Sequence, residues 1–327
     1  MTALGKSAGK TDPGRKRRRN EDSFVCEPPL FAVADGMGGA QAGELASGLA
    51  AAALRGDGTR GDGNSEEHLV SLIQAANRSV FERAREDASA SGMGTTVTAA
   101  IVEDDGLVVF GHVGDSRAYL VRDGSLEQVT DDHSLVAELV RSGKLSPQEA
   151  EVHPQRSVIT RALGTDPDVD VDSFSVHAQP GDLFLICSDG LSGMVDDETI
   201  LALVQENRAD LDAAVKALVN AANRGGGEDN ITALLFEITG DEIPAEEQTA
   251  QLPAVEEPDD EEDTLSGIDP VPAAVQTMVV APDEIAQHVA ATREEPKPSL
   301  ARRALAVLVI LTLVLVIAAL VLWGLAR

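Results

Sequence analysis

Cysteine is almost missing from this chain. Its 327 residues hold only Cys26 and Cys187, too few for a disulfide scaffold and too far apart for a metal pair. Each reads as a small buried hydrophobe. Aromatic residues are also sparse, with one Trp, one Tyr and seven Phe, so stacking platforms for single-stranded nucleic acid are lacking. Basic residues are outnumbered. Against 55 Asp and Glu stand 26 Lys and Arg, a formal net charge of −29, whereas a phosphate backbone demands a basic footprint. The six histidines, His68, His112, His133, His153, His177 and His288, show no zinc-ligand spacing. Apolar residues are plentiful at 43%, with 25% charged, which supports a folded core and excludes wholesale disorder.

The surplus of acid is unevenly spread. Residues 241–300 contain 16 Asp or Glu against Arg293 and Lys297, a balance of −14. Prolines are scattered through them, and the run Glu256-Glu257-Pro258-Asp259-Asp260-Glu261-Glu262-Asp263 lies inside. This composition predicts a disordered, self-repelling linker over 241–303. One short apolar stretch, residues 275–280, interrupts it as a possible docking segment. The chain then changes character. Residues 304–323 are 20 positions of Leu, Val, Ile, Ala and Trp with Thr312 as the lone polar residue. A helix of that length spans about 30 Å, the hydrocarbon thickness of a bilayer. Arg302 and Arg303 before it and Arg327 after it favour a cytoplasmic N-terminal side. The start of the chain shows no signal sequence, which points the same way. The expectation is a single-pass anchor in the cell membrane, a cytoplasmic catalytic domain, and a short tail, 324–327, beyond the membrane. Gly324 makes no helix-dimer motif.

Residues 1–240 carry the globular part. Strands are predicted over 30–34, 95–102, 107–113, 118–122, 182–187 and 231–238, and helices over 41–54, 67–87, 198–205 and 211–222. Strands clustered in hairpins, with helices paired before and after, argue for an α+β layered fold. Acids recur at strand ends beside Gly or Asn. Asn20-Glu21-Asp22-Ser23 precedes a strand, and Asp35-Gly36-Met37-Gly38-Gly39 follows one. Gly114-Asp115 marks a hairpin corner, Ser188-Asp189-Gly190 follows a strand, and Glu228-Asp229-Asn230 precedes one. A single Asp-Gly is a common turn. Five such acids together point to an all-oxygen site for a hard cation, Mg²⁺ or Mn²⁺.

These motifs, with Arg17-Arg18-Arg19-Asn20, Gly94-Thr95-Thr96, Gly111-His112-Val113-Gly114-Asp115-Ser116-Arg117 and Gly227-Glu228-Asp229-Asn230-Ile231-Thr232, resemble in order and spacing the metal-dependent protein phosphatases of type 2C, in their bacterial branch. The resemblance covers about residues 10–240. It implies an α-β-β-α sandwich of two antiparallel sheets flanked by helices. It also implies two Mn²⁺ or Mg²⁺ ions, with a third at a weaker site. Asp35 would bridge the two metals, with the Gly36 carbonyl on one and Asp189 and Asp229 completing the other. Asp22 would hold metal-bound water, and Asp115 would join Asp189 at the third site. Arg17 matches the substrate-binding arginine that receives the phosphate, its planar fork suiting a phosphoryl dianion.

The implied reaction is hydrolysis of phosphoserine or phosphothreonine by a metal-activated water, without a phosphoenzyme. Eukaryotic members place a histidine, proposed as the leaving-group acid, two residues after the bridging aspartate. Here that position is Met37. A flap over about 131–165, containing His133 and His153, would flank the cleft. The implied partners are phosphorylated proteins, including Ser/Thr protein kinases at the same membrane, and not nucleic acid. Two rival readings are a phosphoprotein-binding pseudophosphatase, which would have lost a ligand acid, and a metal-dependent phosphodiesterase or nuclease, against which the acidic surface and scarce aromatics argue.

Overall fold

The computed structural model describes residues 3–38, 42–56, 64–240 and 278–279. The expected transmembrane helix 304–323, the tail and all of the acidic linker except Met278–Val279 lie outside the described residues. Among those described, no helix is long and apolar enough to cross a membrane.

The chain begins with β1 (Ala3–Asp12), β2 (Asp22–Glu27) and β3 (Leu30–Met37), then α1 (Ala42–Arg55) and α2 (Ser65–Glu86). Next come β4 (Gly94–Thr95), β5 (Val97–Val102), β6 (Leu107–Val113), β7 (Arg117–Arg122) and β8 (Ser125–Gln128). The flap region holds α3 (Leu135–Arg141), α4 (Pro147–Glu151) and β9 (Val158–Ile159). After it run β10 (Asp172–His177), β11 (Leu183–Cys187), α5 (Asp189–Ser192), α6 (Asp197–Glu206), α7 (Leu211–Gly225) and β12 (Ile231–Thr239), with β13 (Met278–Val279) last.

Two antiparallel sheets form, ordered β1-β12-β11-β7-β8 and β10-β6-β5-β3-β2. Three apolar layers separate the elements. Phe31, Phe110, Phe184 and Phe236 sit in the layer between the sheets. Phe31 stacks on Phe236 with ring centroids 4.3 Å apart, and Phe184 lies 5.1 Å from the same ring. The few aromatic side chains are thus concentrated where two pleated faces must fill a gap of about 10 Å. On the outer face of the second sheet, Ala42, Ala46 and Ala50 of α1 pack with Ala32 and Ala34 of β3 and with α2. On the other outer face, Ile200 and Val204 of α6 and Val215, Leu218 and Val219 of α7 cover Leu183, Leu185 and Leu235. Side-chain oxygens set the helix starts, with Asn64 accepting from the Glu66 amide and Asp210 from the Ala213 amide.

Three expectations are corrected. Residues 113–117 do not turn a hairpin, because β6 belongs to one sheet and β7 to the other. Asp115 therefore sits on a crossover between the sheets, where Gly114 adopts φ +117°, a region open to glycine. Asp22 is the first residue of β2 and does not precede it. Asp35 lies within β3 and does not follow it, because the strand continues to Met37 by pairing Gly36 with Thr95 and Met37 with Gly94 of β4.

Candidate metal centre

The site lies at one end of the sandwich, where both sheets deliver acids. Asp22 and Asp35 face each other across the β2–β3 register. Asp189 opens α5 directly after β11, and Asp229 immediately precedes Asn230 and β12. Asp115 enters from the crossover. The proximity is visible in the charges. Burial first, then the carboxylates of Asp22, Asp189, Asp229 and Asp115, hold Asp35 well above the ordinary carboxylate range. Burial raises Asp22 to about 7, against the opposing hydrogen bonds of Thr232 and Ser188. Burial and then Asp229 raise Asp189 to about 6. Asp115 is likewise held well above the usual range by burial, then by Asp189 and Asp132.

Polar residues that the sequence reading left without roles position these acids. The hydroxyls of Ser188 (2.8 Å), just after β11, and Thr232 (2.6 Å), in β12, donate to Asp22 Oδ2, so the first sheet orients an acid of the second. The Asp35 amide donates to Thr96 Oγ1 at 3.0 Å, and Thr95 Oγ1 donates to the Asp35 carbonyl at 2.9 Å. Asn230 accepts from the Glu21 amide at 2.7 Å and donates to the carbonyls of Pro13 and Arg19 at 3.0 and 2.9 Å. It thereby pins the loop that carries Arg17. Arg17 reaches Asp229 Oδ2 with one guanidinium nitrogen at 2.7 Å. The motifs' glycines have a steric basis. A Cβ on Gly190 would lie 1.9 Å from the Asn230 carbonyl oxygen, and one on Gly36 would lie 2.1 Å from that of Gly43.

His133 does not reach this cluster. It is buried, and its Nδ1 accepts from the Gly114 amide at 3.0 Å. That bond leaves the ring proton on Nε2, which donates to Asp172 Oδ2 at 3.1 Å. The ring fastens the flap to the Asp115 crossover, a structural task. His153 Nδ1 accepts from the amide of Gln155, two residues on. Arg117, from the same motif as Asp115, pairs with both oxygens of Asp132 (Nε–Oδ1 2.9 Å and Nη2–Oδ2 2.7 Å) and so ties the crossover to the start of the flap.

The donor set suits a hard cation. Buried oxygens Asp22 Oδ1, Asp115 Oδ1 and Asp189 Oδ1 have no hydrogen-bond partner, and a buried unpaired acceptor is costly. Among the described residues, no group of three or more His, Cys, Asp or Glu side chains makes a metal cage by itself. An ion such as Mg²⁺ needs only one or two carboxylates, with backbone and water oxygens supplying the remainder. Beside Asp115 and Asp189 opens a cleft of about 1050 Å³, with flap residues Arg141 and Arg156 on one wall and Met194 and Asp197 on another.

Comparison with known proteins gives concordant results. The family model described as Protein phosphatase 2C matches residues 15–235. The chain is 41% identical over 239 residues to the serine/threonine protein phosphatase PstP of Mycobacterium tuberculosis, a match covering 73% of this chain and 46% of that protein. The chain thus spans about half the length of that relative. It is also 41% identical over 238 residues to the serine/threonine phosphatase stp of Listeria monocytogenes, covering 70% of this chain and 94% of that one. Among solved structures, the catalytic domain of PstP in complex with two manganese ions aligns with a TM-score of 0.65 at 37% identity, over 73% of this chain and 100% of that one.

Proposed function

Since this chain belongs to the protein phosphatase 2C family, we propose that it is a metal-dependent protein serine/threonine phosphatase acting on phosphoserine and phosphothreonine. The observation that carries the reading is the set of orphaned, buried carboxylate oxygens on Asp22, Asp115 and Asp189 beside Arg17 and Asp229. Asp35, Gly36, Asp189 and Asp229 would hold two Mn²⁺ or Mg²⁺ ions, and Asp115 with Asp189 a third. Bound there, such ions lower the pKa of water and offset charge on phosphoryl oxygens. The chain's own residues do the rest. Asp22, held by Ser188 and Thr232, is fixed where it can orient a water. Arg17, on a loop fastened by Asn230, presents a planar donor fork to the phosphoryl group. Met37 offers no proton, so the leaving alkoxide must be protonated by a group other than the residue at this position.

Manganese-dependent release of phosphate from a phosphothreonine peptide tests the reading. Cleavage of a phosphodiester instead, or peptide binding without turnover, would overturn it. Replacing Arg17 by alanine should lower kcat/KM on that peptide about 10- to 100-fold, the usual worth of a hydrogen bond to a charged group. A drop in kcat/KM smaller than this in steady-state assays would remove Arg17 from the substrate contact.

We further propose that residues 304–323 anchor the protein in the cell membrane with the catalytic domain on the cytoplasmic side, opposing Ser/Thr protein kinases there. The support is sequence composition alone. A 60-residue linker has an r.m.s. reach of about 45 Å as a neutral coil, and more when charged. Deleting 301–327 should move the protein to the soluble fraction on cell fractionation and leave turnover of a small phosphoester intact. Retention in the membrane pellet would refute the anchor.

A further inference from the structure

The strand β9 (Val158–Ile159) in the flap has an open edge. Its two flanking amides are used inward, Val158 donating to the Gln155 carbonyl at 3.2 Å and Thr160 to the His133 carbonyl at 2.9 Å. Amides alternate in direction along a strand, so that of Ile159 points to the opposite side. An edge of this kind is a template for another strand. On it lies β13, paired in parallel with Met278 opposite Val158 and Val279 opposite Ile159. This strand comes from the acidic linker, some 37 residues beyond Gly240.

The sequence singles out the same segment independently. From Pro270 to Pro282 no residue is charged, although Asp269 and Asp283 adjoin the run. Val275, Thr277, Val279 and Val280 give it the β-branched character of a strand. Within 241–300 this is the longest uncharged stretch. Prolines at 270, 272 and 282 bound it, and proline ends a ladder because it lacks the N–H. The remainder of the linker is acidic and has no comparable strand pattern.

We propose that Met278–Val279, within the uncharged run 270–282, dock on β9 as an added strand, so that the chain carries an internal ligand for its own flap. The inference goes beyond the phosphatase reading and stands apart from it. Arg156 and Ser157, immediately before β9, line the cleft beside Asp115 and Asp189. The docked strand therefore braces a segment that forms one wall of the cleft. Two paired residues are too few to hold a free peptide at micromolar concentration. A segment on a flexible tether, however, meets its site at an effective concentration of about millimolar. Docking is thus reversible.

The test is amide exchange at Ile159 in the full chain in detergent, read by mass spectrometry of overlapping fragments. The Ile159 amide should exchange about ten-fold faster in a Met278→Pro variant than in wild type, because in a parallel pair the Met278 amide faces β9 and the proline removes that donor while leaving residues 1–240 unchanged. Adding a peptide of residues 270–282 at millimolar concentration to that variant should restore the slow exchange. The same peptide carrying the proline should not. Equal exchange in wild type and variant, or failure of the peptide to restore protection, would overturn the proposal. Protection that fades on dilution of the wild type would also overturn it, because the occupant would then be a second copy.

Discussion

Asp35→Asn should lower kcat/KM for a phosphothreonine peptide about 1,000-fold or more, the scale of losing a preorganised electrostatic group at a reacting centre. The substitution is nearly isosteric. The hydrogen bonds that place this part of β3 run through its backbone, from the Asp35 amide to Thr96 and from Thr95 to the Asp35 carbonyl, and survive the change. Loss of activity would therefore not be loss of fold. A second readout separates the two. Asp35 faces the charges of Asp22, Asp189, Asp229 and Asp115, so in metal-free protein its removal relieves repulsion, and the melting temperature should rise. Asp196→Asn serves as the control. Asp196 caps α6 by accepting from the Thr199 amide, and its loss should cost a little stability and no turnover. Turnover near wild type in Asp35→Asn would sink the assignment.

Metal-free protein should lose stability as the pH rises from 6.5 to 8.5, by about 5 °C in Tm, and Mn²⁺ should reverse the loss. The folded pKa of Asp22 is about 7, and those of Asp35 and Asp115 stand well above the usual carboxylate range. Their unfolded values are near 4. Between those limits the folded state holds more protons than the unfolded one, so stability falls with rising pH until the last folded carboxyl ionises. Asp189, at about 6, has mostly completed its share below this window. The buried histidines act oppositely, but elsewhere on the scale. His112 is depressed to about 4, and its contribution grows with pH only up to about 6.5, where the unfolded imidazole is also neutral. Cations take the place of the protons, so the gain from Mn²⁺ should be larger at pH 8 than at pH 6. Calorimetry with and without chelator checks this. A metal-free Tm that climbs through the window would contradict the assignment of these acids as a strained cluster.

The acids of the site were legible because each lies within two residues of a Gly or Asn next to a short apolar run, a local signal. Their fastenings were not. Nothing near Asp22 in sequence announces Ser188 or Thr232, whose hydroxyls arrive from positions 166 and 210 residues away. Asn230 was visible as part of a motif, but its grip on Glu21, Pro13 and Arg19 needs the fold. Long helices and buried strands such as β5, β6 and β11 follow their hydrophobic patterns closely. The edge strands β1, β8 and β10 escaped because Lys, Gly, Ser and Glu dilute the alternation where one side faces solvent. The hairpin expected at Asp115 failed for a related reason. Two adjacent strands with a Gly-Asp turn look alike whether they pair or part into different sheets, and only the layer of Phe side chains between the sheets decides it.

The pairing of β1 with β12, from Ala3 opposite Thr239 to Asp12 opposite Ile231, bears on how the protein is made. A ribosome delivers β1 first and its partner more than two hundred residues later. Until Thr232 emerges, Asp22 lacks one of its two hydroxyl donors, and until Asp229 emerges the Arg17–Asp229 ion pair cannot form. The site therefore cannot assemble progressively along the nascent chain. It closes in a late step that joins the two ends of the domain, with the slow folding that such non-local pairing imposes. A stop codon inside β12 would leave an unclosed sandwich, not a shortened enzyme.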